Sequence, residues 1–280
     1  MKTRNTFATT TRLRGMALAL AAIMVAGLWA TASQPVIAQG VSEDDPLPRL
    51  SREQVEWIVR NYLLENPEII EQAMTALEEK RRIEAAQAAQ NTLKNNAELI
   101  FRDPMDPTIG NPEGTVDMVH FFDYQCGFCK NMARDLAQTL QPDGRVRAQF
   151  KEFPILGPAS VVAARAAMAA ERQGMYWDMH QALMNNRGRL SENRIFALAQ
   201  GIGLDMQQLR RDMNDPAITQ HLEKNRALAN RLGIDGTPGF VIGSQIYPTS
   251  LSPENLRIAI DQAEAEREKA PSEVTTDSRG

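Results

Sequence analysis

Residues 121–130 read FFDYQCGFCK and contain both cysteines of the chain, Cys126 and Cys129. The apolar run Val116–Phe122 ends just before them, and Met132, Leu136 and Leu140 recur at helical spacing just after. A short continuous apolar run reads as a buried strand, and the later recurrence as a helix over 128–140. Arg145–Phe153, with Val146, Ala148 and Phe150 alternating against charged positions, gives a second strand. The cysteines therefore stand at the turn from strand to helix in a strand–helix–strand unit.

Three chemistries use a Cys-x-x-Cys pair. A zinc site needs two further ligands, and His120, His180 and His221 lie far apart at no finger-like spacing. Haem attachment needs a histidine next, where Lys130 stands. The third is a redox pair at a helix N-terminus. There the free N–H groups and the helix dipole stabilise a thiolate and lower its pKa. Cys126, at the mouth of the helix, is then the exposed nucleophile, and Cys129, one turn in, the buried resolving thiol.

The first residues suggest the compartment. Lys2, Arg4, Arg12 and Arg14 precede the apolar run Met16–Ala30, and small-x-small exits follow at Ala30–Ala32 and Val36–Ala38. This pattern predicts a secretory signal peptide cleaved after Ala38, because the run is shorter than a bilayer span requires. Removing its four basic residues takes the formal net charge from −4 to −8. In an oxidising compartment, a bridge across so short a loop would add little stability. Such a pair suits opening and closing better than stapling a fold. With 43% hydrophobic and 24% charged residues, the chain reads as globular. The mild acidity, with no basic cluster beyond Lys80-Arg81-Arg82, argues against a nucleic-acid partner.

Elsewhere the pattern is mostly helical. Ser51 and Gln54 have capping-box spacing before an apolar recurrence at Val55, Ile58, Val59 and Tyr62. Asn66 and Pro67 open a second amphipathic helix through Ile70, Ala73, Met74 and Leu77, whose apolar stripe EEKRR interrupts before Ile83, against a continuous coiled coil. This stretch is too small to bury its stripes alone, so they either pack on the neighbouring domain or, as expected for stripes with no evident intramolecular partner, associate with another copy. Leu99–Phe101 reads as a short strand, and DPMDPTIGNPEG as a turn-rich connection. Residues 158–232 are helical nearly throughout. GFVIGSQIYP gives a hairpin turning at Gly243-Ser244, and Ser252-Pro253 opens a last helix.

FFDYQCGFCK, KEFPILGP (151–158) and GTPGFVIG (236–243) together resemble the DsbA-like family of thiol–disulfide oxidoreductases. SREQVEWIVRNYLLENPEIIEQAM (51–74) resembles the N-terminal extension of its ScsC-like, or Com1-like, branch. The resemblance implies an α/β class: a thioredoxin fold with an inserted helical domain, preceded by an α-helical oligomerisation segment. Expected boundaries are a signal peptide over 1–38, the extension over 39–95, the thioredoxin domain over 96–270 with its insertion at about 158–232, and a disordered tail over 271–280.

The family places a cis-proline opposite the cysteine pair, and the matching residue is Pro238, preceded by Thr237. Thr237, Gly127 and Phe128 are the implied substrate contacts. Gly127-Phe128 lacks the histidine of strongly oxidising relatives, and threonine before the proline resembles isomerases; both suggest a less oxidising couple. Six residues before Cys126 the family usually carries a buried acid, where this chain has His120. His120 and Glu152 are therefore candidate proton relays, with His120 equally readable as a core histidine and Glu152 as a solvent-facing one. His180 and His221 read as structural or surface residues.

The expected activity is a periplasmic disulfide isomerase or reductase acting on misfolded exported proteins. It needs no cofactor or metal, is assembled as a dimer or trimer, and is serviced by a membrane thiol–disulfide reductase or oxidase. Two alternatives are a monomeric dithiol oxidase and a copper-binding protein with Cys126 and Cys129 as soft ligands.

Overall fold

The computed structural model describes residues 50–140 and 143–269. The expected signal peptide, its cleavage site and the tail over 271–280 lie outside the described residues. The chain divides into two compact units, one ending at Tyr62 and one beginning at Leu63. No described helix is long and apolar enough to cross a membrane.

Helix α1 (Arg52–Glu65) starts with the expected capping box: Gln54 N–H donates to Ser51 Oγ at 3.3 Å, and Ser51 N–H to Gln54 Oε1 at 2.8 Å. Helix α2 (Glu68–Asn95) runs unbroken for 28 residues, through the EEKRR that interrupts its apolar stripe. Its first residue follows Pro67, one position later than the Asn66-Pro67 reading. Charged residues at exposed positions are good helix formers, so a polar interruption of the stripe leaves the backbone helical. Only Ala89 and Leu93 of α2 are buried.

Leu99–Phe101 is not a strand. It lies in helix α3 (Ala97–Phe101), which buries Ile100 and Phe101. Three consecutive apolar residues fit either period, and here packing chose the helix. The turn-rich segment contains an unexpected strand, β1 (Thr108–Gly110), too short to alternate visibly and formed by antiparallel pairing with β3.

Strands β2 (Val116–Phe122) and β3 (Val146–Glu152) are parallel and joined by helix α4 (Gly127–Leu140). Five helices follow: α5 (Pro158–Glu171), α6 (Tyr176–Asn185), α7 (Glu192–Gly201), α8 (Met206–Asp212) and α9 (Pro216–Arg231). Then β4 (Gly239–Ile242) and β5 (Gln245–Tyr247) form the hairpin, with Gly243 at φ +53, before α10 (Pro253–Lys269). The sheet order is β1-β3-β2-β4-β5. This is a thioredoxin fold with five helices inserted between its third and fourth strands.

Alternation along β2 divides the core. Met118 and Phe122 join Phe150, Phe240, both cysteines, helices α5 to α8 and the first half of α9 on one face. Val119 and Phe121 join Leu93, Ile100, Phe101 and Leu228 on the other. A central strand covered on both faces has to be apolar at almost every position, which explains the unbroken run in the sequence.

Candidate active site

Strand β2 ends at Phe122, and Asp123 then organises the turn. Its Oδ1 accepts from the Gln125 N–H and the Ser160 hydroxyl, both at 2.7 Å. Its Oδ2 accepts from the Ile155 and Leu156 N–H groups, both at 2.9 Å. A buried carboxylate is tolerable when its lone pairs are filled in this way. The bonds tie the cysteine turn to the segment after β3 and to the start of α5.

Cys126 stands immediately before α4 and is only 6% exposed, while Cys129, inside the first turn, is fully buried. The Cys129 N–H points at Cys126 Sγ from 3.4 Å. Across the site, the Cys126 thiol donates to the Thr237 carbonyl oxygen at 3.2 Å. The Thr237–Pro238 peptide is cis, and Pro238 is buried.

A hydrogen bond from the Cys129 thiol is the largest cause holding the Cys126 thiol down, to about 5. The Thr237 side chain and the Cys129 and Phe128 N–H groups act the same way, against the opposing effect of burial. The same thiol–thiol bond, followed by burial, pushes Cys129 far up, so it keeps its proton. One sulfur is therefore a thiolate at neutral pH and the other a proton donor beside it. Gly127 and Phe128 are both exposed, Phe128 at 68%, so the dipeptide forms an outer surface at the pair.

The two candidate relays differ. His120 is buried and stacked on Phe240 at 4.5 Å, with Phe122 and Phe150 also in ring contact. Neither ring nitrogen has a hydrogen-bond partner among the described residues. Burial, then His180, pushes its pKa well down, so it stays neutral. Packed this way, it is a core histidine with no bonded proton path.

Glu152 does not face solvent. It is buried, and Oε1 accepts from Tyr124 at 2.7 Å and Tyr176 at 3.0 Å. Burial pushes its pKa well up, so it holds a proton that an exposed carboxylate would lose. The Tyr124 hydroxyl also meets His180 Nδ1 at 3.1 Å, and His180 stacks on Trp177. His180 and His221 are both buried, so of the structural and surface readings the structural one holds. Sequence reasoning missed the partnership of Tyr124, Tyr176 and His180 with Glu152. Its one visible cue was the spacing of Tyr176 and His180, four apart on a helix.

Among the described residues, Asp103, Asp106 and His221 bring ligand-type atoms within 4.8 Å of one another. Side chains of the protein already partner these carboxylates. Lys151 pairs with Asp106, Lys224 with Asp103 at 2.6 Å, and His221 Nε2 meets Asp106 at 2.6 Å. The cluster is an internal ion-pair network.

The model of the DSBA-like thioredoxin domain matches residues 117–261, and that of the copper resistance protein ScsC N-terminal domain matches residues 52–88. A thioredoxin-like oxidoreductase from Silicibacter pomeroyi DSS-3 is 41% identical, covers 60% of this chain and 97% of its own, and superposes with a TM-score of 0.59. The thiol-disulfide exchange protein alpha-DsbA2 from Wolbachia pipientis is 31% identical over 63% of this chain and 96% of its own, with a TM-score of 0.59. A curated relative, a Na(+)/H(+) antiporter NhaA 1 from Salinispora arenicola, is 26% identical over 57% of this chain. The chain spans about a quarter of that relative's length, 26%.

Proposed function

The chain belongs to the DSBA-like thioredoxin domain family, and on that premise we propose a periplasmic thiol–disulfide interchange protein that isomerises or reduces wrong disulfides in misfolded exported proteins. The observation that carries this reading is the position of the Cys126 sulfur, 3.4 Å from the Cys129 N–H and 3.2 Å from the Thr237 carbonyl beside cis Pro238, in surroundings that hold its pKa down to about 5.

In the forward step the Cys126 thiolate attacks one sulfur of a substrate disulfide. That S–S bond breaks, a mixed disulfide forms, and the other substrate sulfur leaves as a thiolate. A second substrate thiol can then displace Cys126, giving isomerisation with no net redox change. Alternatively Cys129 gives its proton to the departing substrate sulfur as it attacks Cys126, which releases a reduced substrate and leaves the Cys126–Cys129 disulfide. A membrane thiol–disulfide reductase would have to return that pair to the dithiol. Thr237 and the exposed Phe128 would contact the substrate segment. Glu152, protonated and hydrogen-bonded, would be the proton holder in place of His120.

Assembly through the helical extension is part of the proposal. Helix α1 exposes Val55 and Trp57, the latter at 66%, and α2 exposes Ile70, Met74 and Leu77. Rows of this kind favour burial against a second copy. Several catalytic domains facing a shared space would suit unfolded substrates. A copper site through both sulfurs is less favoured, because burial and its hydrogen bond to Cys126 oppose removal of the Cys129 proton.

The test is recovery of activity by a scrambled multi-disulfide substrate. It compares protein beginning at Gln39 with a variant beginning at Ala86, which keeps the buried Ala89 and Leu93. Recovery that requires residues 39–85, with a matching fall in mass by light scattering, is the expected result. No recovery, with rapid oxidation of a reduced substrate instead, would favour a monomeric oxidase.

A further inference from the structure

A groove of about 610 Å³ adjoins the cysteine pair, and its lining includes Gln125 and Gly127, the residues on either side of Cys126. One wall is the first two turns of α4, with Lys130, Arg134 and Asp135. The other is the segment after α6, Asn186–Leu190, with Arg187 and Arg189. Four basic side chains thus face one acidic one in a chain of formal net charge −4.

The basic wall is held in place. Lys130 Nζ donates to the Asn186 carbonyl at 2.7 Å, and Arg194 Nε to Asn186 Oδ1 at 2.7 Å. Asn186 Nδ2 in turn donates to the Gly188 carbonyl at 3.3 Å, and Leu190 is buried. Gly188, at φ +87, allows the chain to turn between the two arginines. Arg134, Arg187 and Arg189 are exposed and form no ion pair among the described residues. Their charge is not spent inside the protein.

We infer that this groove binds acidic, carboxylate-bearing segments of polypeptide substrates next to the disulfide that Cys126 attacks. The inference rests on the thiol–disulfide reading and adds a substrate class to it. Free guanidinium groups pair well with carboxylates, and a cleft of one sign raises the encounter rate of the opposite charge by 10-fold or more. Length favours a peptide over a small anion. Gly127 to Arg134 spans about 10 Å of helix, the reach of about three extended residues.

The test measures reduction of three disulfide-bridged peptides by the reduced full chain. They share one bridge, flanked by glutamates, serines or lysines. The glutamate peptide should react on the order of tenfold faster than the lysine peptide at low salt. That ratio should shrink towards one at high salt, where screening is short-ranged. An Arg187→Glu/Arg189→Glu variant should lose or invert it, while Arg226→Glu, an exposed basic residue on α9, should keep it. Equal rates for the two peptides, or an unchanged ratio in the double variant, would overturn the inference. So would a preference seen with oxidised glutathione and absent with the glutamate peptide, since the site would then serve small anionic thiols. Failure of the serine peptide to react at all would count against the thiol–disulfide reading itself.

Discussion

The Cys126 sulfur lies 3.2 Å from the main-chain carbonyl oxygen of Thr237, a residue 111 positions further along the chain. The protonated thiol can donate to that carbonyl; the thiolate cannot, and relies on the donors at the other side, Cys129 and the first N–H groups of α4. The two protonation states of Cys126 therefore have different partners.

Alkylation of the reduced protein should follow ionisation of Cys126, with half-maximal rate near pH 5 instead of the ordinary thiol value of 9.0. Cys129→Ala removes the largest stabilising hydrogen bond and should move that midpoint upward, while Cys129→Ser, which keeps a donor, should move it less. Stability has the same sign. Between about 5 and 9.0 the unfolded thiol binds a proton that the folded one does not, so the reduced protein gains stability as pH rises through that window. It loses this contribution as pH falls through about 5. The melting temperature of the reduced form, minus that of the oxidised form, should widen from pH 5 towards 9; a constant gap would refute the assignment.

Glu152 should behave in the opposite sense. Its folded carboxyl keeps its proton above the ordinary value of 4.5, so its contribution is complete below that value and declines as pH rises towards the folded pKa. Glu152→Gln retains an acceptor for Tyr124 and Tyr176 but cannot ionise. In the oxidised protein, where no thiol titrates, the variant should gain on the wild type in melting temperature above pH 4.5. Parallel curves would show that Glu152 is not the titrating group.

Asp106 supports the fold through a buried ion pair, since its side chain and that of Lys151 are both fully buried. Asp106→Ala leaves the lysine charge without its partner and should cost about 3–5 kcal/mol. Asp106→Leu combined with Lys151→Met removes both charges and should recover much of that loss, despite leaving His221 without its acceptor. Urea denaturation of the single and double variants measures the difference. A double variant no more stable than the single would show that the pair, and not the orphaned charge, carries the effect.

Much of this was legible in sequence because it is local. The run Val116–Phe122, the Cys-x-x-Cys step and the recurrence through Leu140 each lie within one element, where period and turn chemistry decide. The capping box at Ser51 and the hairpin at Gly243 are local for the same reason. The exceptions were segments too short for a period to register. Leu99–Phe101 became helical because Ile100 and Phe101 bury against the sheet, and Thr108–Gly110 became a strand because β3 offered an unpaired edge.

The thiol pair and its position at a strand-to-helix turn are legible in the order of residues, and the family resemblance adds a proline opposite them. What surrounds them depends on packing between distant elements. His120 could have carried protons, but registered strands place it between Phe150 and Phe240, where it meets only rings. Glu152 could have faced water, yet Tyr124 and Tyr176 reach it from 28 and 24 residues away. The basic groove joins α4 to a segment more than 50 residues later, as the bond from Lys130 to Asn186 records. Burial and charge environment are sums over neighbours from every packed element, and chain order does not reveal which neighbours those will be.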